Sequence, residues 1–214
     1  MISNFEIRKR ARDVLGKDLF KGSWLYPVLI VLIVTAISGA LSSTYVGPII
    51  VTGLLSVATA RYFTLRVRGH IEPGNIEASI DVLKNNFTGS LVVGVLVSLF
   101  VSIGTVLFVI PGIIFAFSFA MTFYVLNDHP EMRPMDALRE SRRLMRGHKM
   151  QYFFLNLSFI GWLLLGALCL GVGSLWASAY METANAVFYE ELLAADQGYV
   201  NATAAENHDN DTSW

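Results

Sequence analysis

The sequence predicts an all-α polytopic membrane protein, with six transmembrane helices arranged as three helical hairpins. Three observations carry that prediction. The 214 residues are 54% hydrophobic and only 15% charged, where a soluble domain carries about 25% charge. The apolar residues fall in long runs rather than at amphipathic spacing. All 16 Lys and Arg residues lie in three blocks, so the net charge of −1 conceals a strongly uneven distribution.

The first basic block is Arg8, Lys9, Arg10, Arg12, Lys17 and Lys21. It precedes an apolar run that ends near the small residues Ala36-Ile37-Ser38. A polar lead of more than about twenty residues is too long for an ordinary signal-peptide n-region, so the run is expected to be a retained helix. Residues 5–22 are expected to form an interfacial helix. Ile7, Ala11, Val14, Leu15 and Leu19 lie on one face, with the basic side toward lipid headgroups.

The hairpins are expected at residues 24–65, 91–126 and 152–189. Their turns are Gly47-Pro48, Pro111-Gly112 and Gly171-Val172-Gly173, where glycine and proline end or kink helices for backbone reasons. Roughly 20 residues at 1.5 Å rise cross a 30 Å core. No turn carries a charge. The second basic block is Arg61, Arg66, Arg68 and Lys84; the third is Arg133, Arg139, Arg142, Arg143, Arg146 and Lys149. Both fall between the hairpin turns, with Arg61 inside the end of the second span and the others between hairpins. The positive-inside rule then places both termini and both inter-hairpin segments in the cytoplasm.

The segments before the hairpins resemble one another. Asp13-Val14-Leu15-Gly16-Lys17, Asp81-Val82-Leu83-Lys84-Asn85 and, more loosely, Arg143-Leu144-Met145-Arg146-Gly147 each precede a span. Three parallel repeats of lead-in segment plus hairpin follow from this. Residues 134–148 read as a second interfacial helix, with Pro134 and Asp136 suited to its first turn. Residues 1–193 thus form one membrane domain. Residues 194–214 are polar and acidic without apolar periodicity, which predicts a disordered cytoplasmic tail.

Polar groups inside the spans are the candidate site. Glu182 lies about 15 Å beyond its turn, close to the bilayer midplane, where a charge costs roughly 2.5–3.5 kcal/mol and should face inward. Arg61 sits at similar depth, and Asn185 follows Glu182 on the same helix. A cluster of Arg61, Glu182 and Asn185 is the expectation, with interhelical hydrogen bonding that merely holds the bundle as the plainer reading. Arg139, Arg142, Arg143, Arg146 and Lys149 are the candidate contacts to anionic inner-leaflet lipids or to a partner, each contributing about 1 kcal/mol near such a surface; setting topology alone is the plainer account. The sequence contains no nucleophile elbow, Walker loop, His-Glu-x-x-His or paired cysteines. No catalytic residue, metal site or cofactor is therefore assigned. The lone Cys169 excludes an internal disulfide, and nucleic acid is not an expected partner.

The string Glu140-Ser141-Arg142-Arg143-Leu144-Met145-Arg146-Gly147-His148-Lys149 resembles the bacterial membrane family called domain of unknown function 975 (DUF975). So do Ile110-Pro111-Gly112-Ile113-Ile114, Leu157 to Trp162, Gly171-Val172-Gly173 and Phe188-Tyr189. Ala179 departs from the proline expected there. The hairpin layout is also similar to membrane domains of some glycerophosphodiester phosphodiesterases, whose catalytic domain has no counterpart in this sequence. The resemblance implies a multi-pass protein of the bacterial cytoplasmic membrane and supplies no activity. Its leading function is a non-enzymatic scaffold that binds lipids or a partner. The alternatives are a small transporter or channel-like homo-oligomer using Glu182, and an enzyme acting on lipid headgroups.

Overall fold

The computed structural model describes residues 2–16, 22–40, 47–71, 87–107, 109–168 and 172–211. Among them every regular element is an α-helix. We number these α1 (Asn4–Leu15), α2 (Gly22–Ala40), α3 (Gly47–Val67), α4 (Phe87–Leu107), α5 (Val109–Phe119), α6 (Thr122–Asp128), α7 (Pro134–Leu144), α8 (Lys149–Leu168) and α9 (Val172–Asp211). Among the described residues no helix is long and apolar enough to cross a membrane.

α1 starts at a capping box. The Ser3 hydroxyl accepts from the Glu6 backbone N–H, and the Glu6 carboxylate accepts from the Ser3 backbone N–H at 3.1 Å. These bonds hold the Glu6 carboxyl below its ordinary range. Gly16, at φ 84°, ends the helix. The apolar face of α1 does not lie on a surface: Ile7, Ala11 and Leu15 are buried against α9, α3 and α8. The expected interfacial helix is thus a packed helix. Its apolar stripe finds a better partner in the bundle than outside it.

α7 behaves in the same way. Arg133 precedes it in extended conformation and Pro134 occupies its first turn, where the missing N–H costs nothing. Ala137, Leu138, Ser141 and Leu144 are buried against α4, α5 and α6. Leu138 and Met145 are buried while Met135 and Arg142 are exposed.

α4 and α5 pack together, as do α8 and α9, and α3 packs on α4. Gly53 of α3 and Gly94 of α4 let two backbones meet: a Cβ built on Gly94 would stand 2.6 Å from the Gly53 Cα. A Cβ on Gly166 would stand 2.5 Å from the Ser174 nitrogen, so the end of α8 touches the start of α9. The second half of the middle hairpin is not continuous. It breaks at Ala120–Met121 into α5 and α6, and the Thr122 hydroxyl donates to the Phe119 carbonyl at 2.7 Å across the break. The lead-in to α4, residues 72–86 and hence Lys84, lies outside the described residues. α9 runs for 40 residues to Asp211, so it is helical where the sequence predicts a disordered tail.

Candidate functional site

Two polar assemblies stand out, one inside the bundle and one at its charged end. Inside, Glu182 projects from α9 into a cavity of about 380 Å³ between α2, α3, α6, α8 and α9. Its carboxylate has polar contacts with the Tyr124 hydroxyl and the Asn185 side chain. Asn185, one helical turn further on, also lines the cavity, and its Oδ1 is buried without a hydrogen-bond partner. Tyr152 closes another wall, fixed by its ring contact with Phe188 at 5.1 Å. Tyr124 is held in place by Tyr189, 5.3 Å between ring centres. The remaining walls are mostly apolar, from Val31, Val34, Phe123 and Met181.

The structure brings together two of the three residues expected in this cluster. Arg61 does not join them. It is on α3, and its guanidinium donates to the Asn127 backbone carbonyl at 3.2 Å, while the Asn127 amide donates to the Val57 carbonyl at 2.9 Å. No salt bridge links Arg61 to Glu182 among the described residues. Similar depth from a turn does not put two residues on facing helix surfaces, and azimuth decided here. The tyrosines were missed because their partners lie on distant helices; their only sequence signal is a hydroxyl within an apolar run.

At the other end, α9 presents three acids to three arginines from different elements. Arg68, just past α3, donates to Asp128 through both terminal nitrogens, at 2.9 and 2.7 Å, and through Nε to Glu190 at 2.7 Å. The Tyr189 hydroxyl completes the group by donating to Asp128 at 3.0 Å. Arg10 of α1 pairs with Glu191. Arg143 of α7 forks onto Glu140, at 2.9 and 2.6 Å, and onto Asp196, at 2.6 and 2.8 Å. Hydrogen bonding to Asp128 raises the Arg68 pKa, and bonding to Glu140 and Asp196 raises that of Arg143. Burial pushes Glu190 up against the opposing pull of Arg68. Arg143 holds Asp196 below the usual carboxylate range. These pairs join chain segments up to 181 residues apart.

Arg143 was expected to contact lipid or a partner, yet its fork is occupied within the chain. Arg139 is 78% exposed and reaches only Asp136, three residues back. Arg142 and Arg146 are exposed and Lys149 is partly exposed, with no acidic partner within 4 Å among the described residues. Arg8, Lys9 and Arg12 on α1 also have no acidic partner within 4 Å among the described residues, and Lys9 and Arg12 are exposed. α1 adjoins α8 at this end, where the Asn4 amide donates to the Gln151 carbonyl at 3.0 Å and Gln151 returns a bond to the Ile2 carbonyl at 2.8 Å. One end of the bundle therefore gathers the free cations of α1 with those of α7 and the start of α8.

No curated protein and no solved structure matches this chain. The family model described as Protein of unknown function (DUF975) matches residues 106–196, from the end of α4 to Asp196 on α9. That stretch includes Glu182, Asn185, both tyrosines and the α7 arginines. Over those residues the chain is similar to the DUF975 family.

Proposed function

We propose that this chain is a non-enzymatic multi-pass protein of the bacterial cytoplasmic membrane, built on six spans, whose basic end faces the cytoplasm and binds anionic headgroups. One observation carries the reading: large apolar side chains stand exposed on the bundle's outward faces. Its outward faces are apolar on four helices, with Leu32 45%, Leu99 52%, Ile114 48% and Leu164 62% exposed. Trp162 and Leu165 are likewise exposed on α8. Its interior holds Ser118, Thr122, Asn127, Ser141 and Thr183, each at most 2% exposed. In water, apolar area spread this widely is costly. In lipid it costs nothing, and interior polar groups become the means of joining helices.

The charged end supports the headgroup part. Acids that could neutralise Arg10, Arg68 and Arg143 do so, while Arg142, Arg146 and Lys149 stay free. Three free cations near an anionic leaflet contribute about 3 kcal/mol together, roughly a hundredfold in lipid preference. The test is native mass spectrometry of the protein in mixed phosphatidylglycerol and phosphatidylcholine. Retained phosphatidylglycerol should fall steeply in the triple variant Arg142→Gln, Arg146→Gln, Lys149→Gln and not in Arg139→Gln. Equal retention in both would sink the headgroup reading. Failure of single cysteines at Lys9 and Arg133, in a Cys169→Ser background, to react from the cytoplasmic side would sink the orientation. A small transporter is the second reading, favoured by the cavity beside Glu182 and tested by flux in proteoliposomes.

A further inference from the structure

We propose that the cavity beside Glu182 is a binding site for a small organic cation, an ammonium group carried on an apolar body. Three features of the cavity converge on that class. Its volume of about 380 Å³ falls within the range of roughly 300–1,000 Å³ typical of small-molecule sites. Among the described residues no Lys, Arg or His lines it. The nearest expected cation, Arg61, is turned to the Asn127 carbonyl instead.

Glu182 is the carboxylate that lines it, with the Asn185 side chain beside it. A carboxylate held away from bulk water is stabilised by a counter-charge or by hydrogen bonds. A ligand that carries a positive charge supplies the counter-charge. An anionic ligand would instead meet Glu182 as a like charge.

The walls choose between kinds of cation. A hard inorganic divalent ion takes six or more oxygen ligands, and no cluster of three or more His, Cys, Asp or Glu occurs among the described residues. Tyr124, Tyr152 and Phe123 instead offer aromatic rings around a single carboxylate, the surroundings that favour an organic ammonium. Val31, Val34 and Met181 provide apolar surface for the rest of the molecule. Glu182 is itself partly accessible, so the cavity is open on one side. This inference rests on the cavity alone and stands apart from the headgroup reading.

Phenethylammonium, added to the full-length protein in nanodiscs and followed by calorimetry, is the direct probe. It should bind with a Kd below about 1 mM, in keeping with the affinity available to a ligand of its size. Glu182→Gln should weaken it at least tenfold. Ser178→Leu, which fills the cavity while keeping the carboxylate, should weaken it as well, whereas Arg61→Gln should leave it unchanged. The uncharged 2-phenylethanol should bind at least tenfold more weakly than the ammonium. Thermal melts of each variant establish that it is folded; if Glu182→Gln does not fold, Ser178→Leu and the neutral analogue still decide. The proposal is overturned if the ammonium does not bind, if 2-phenylethanol binds equally well, or if folded Glu182→Gln or Ser178→Leu retains full affinity.

Discussion

Asn127 shows how a single residue can hold two helices in register. It sits 2% exposed at the end of α6. Its amide reaches the Val57 carbonyl inside α3, and its own backbone carbonyl receives Arg61 from the next turn of α3. The side-chain bond is the vulnerable one, since Asn127→Ala removes the donor and leaves the backbone acceptor for Arg61. The loss should be about 1–3 kcal/mol, the cost of stripping a buried hydrogen bond from one side. A thermal melt in detergent should show a clear fall for Asn127→Ala. Arg139→Gln should show none, because the Arg139–Asp136 pair is solvent-exposed and such pairs contribute at most about 1 kcal/mol.

Helix against helix, the close approach of α3 and α4 is set by two glycines rather than by large side chains. A Cβ on Gly53 would meet the Gly94 Cα at 2.8 Å, and backbone cannot move aside as a side-chain tip can. Small residues at such crossings let helices gain van der Waals contact along their length. Gly94→Leu should therefore separate α3 from α4 and lower thermal stability by more than Val95→Leu, whose position is 38% exposed. Equal melting temperatures would show that the crossing is not tight. Most helices at this scale were legible beforehand. Long apolar runs and Gly/Pro turns located α2, α3, α4, α8 and the start of α9, and Pro134 marked the start of α7. The break at Ala120–Met121 was not, because Phe119-Ala120-Met121-Thr122 carries neither glycine nor proline. The packing of α1 was misjudged for another reason. An amphipathic stripe states that a partner exists, and whether that partner is lipid or protein depends on helices far along the chain. Glu182 could be singled out from depth alone, but its neighbours Tyr124 and Tyr152 depend on the folded arrangement.

Across the whole molecule, α9 is the common strut. Its first part lines the cavity beside Glu182, and its later turns carry Glu190, Glu191 and Asp196 to arginines of three other elements. The DUF975 match ends at Asp196, the last of these paired acids. That pairing also gives the helix beyond residue 194 a reason to continue, where composition alone predicted disorder. The Asp196–Arg143 contact is solvent-accessible, so it acts locally and its loss is expected to loosen one stretch rather than unfold the bundle. Its pH dependence follows from the sign of the shift. Arg143 lowers the Asp196 pKa, so the carboxylate is charged and paired at any pH above its ordinary value, about 3.9. The contribution is then lost as pH falls through the depressed folded-state value. Amide exchange over residues 192–198, corrected for intrinsic rates, should be steady from about pH 8 to 5 and lose protection only in stronger acid, below about pH 4. Arg143→Gln should lose that protection throughout the range, while exchange in α3 stays as in the parent protein. If instead the variant and the parent exchange alike at neutral pH, the far end of α9 is held by its own helical hydrogen bonds, and the arginine fork adds nothing to it.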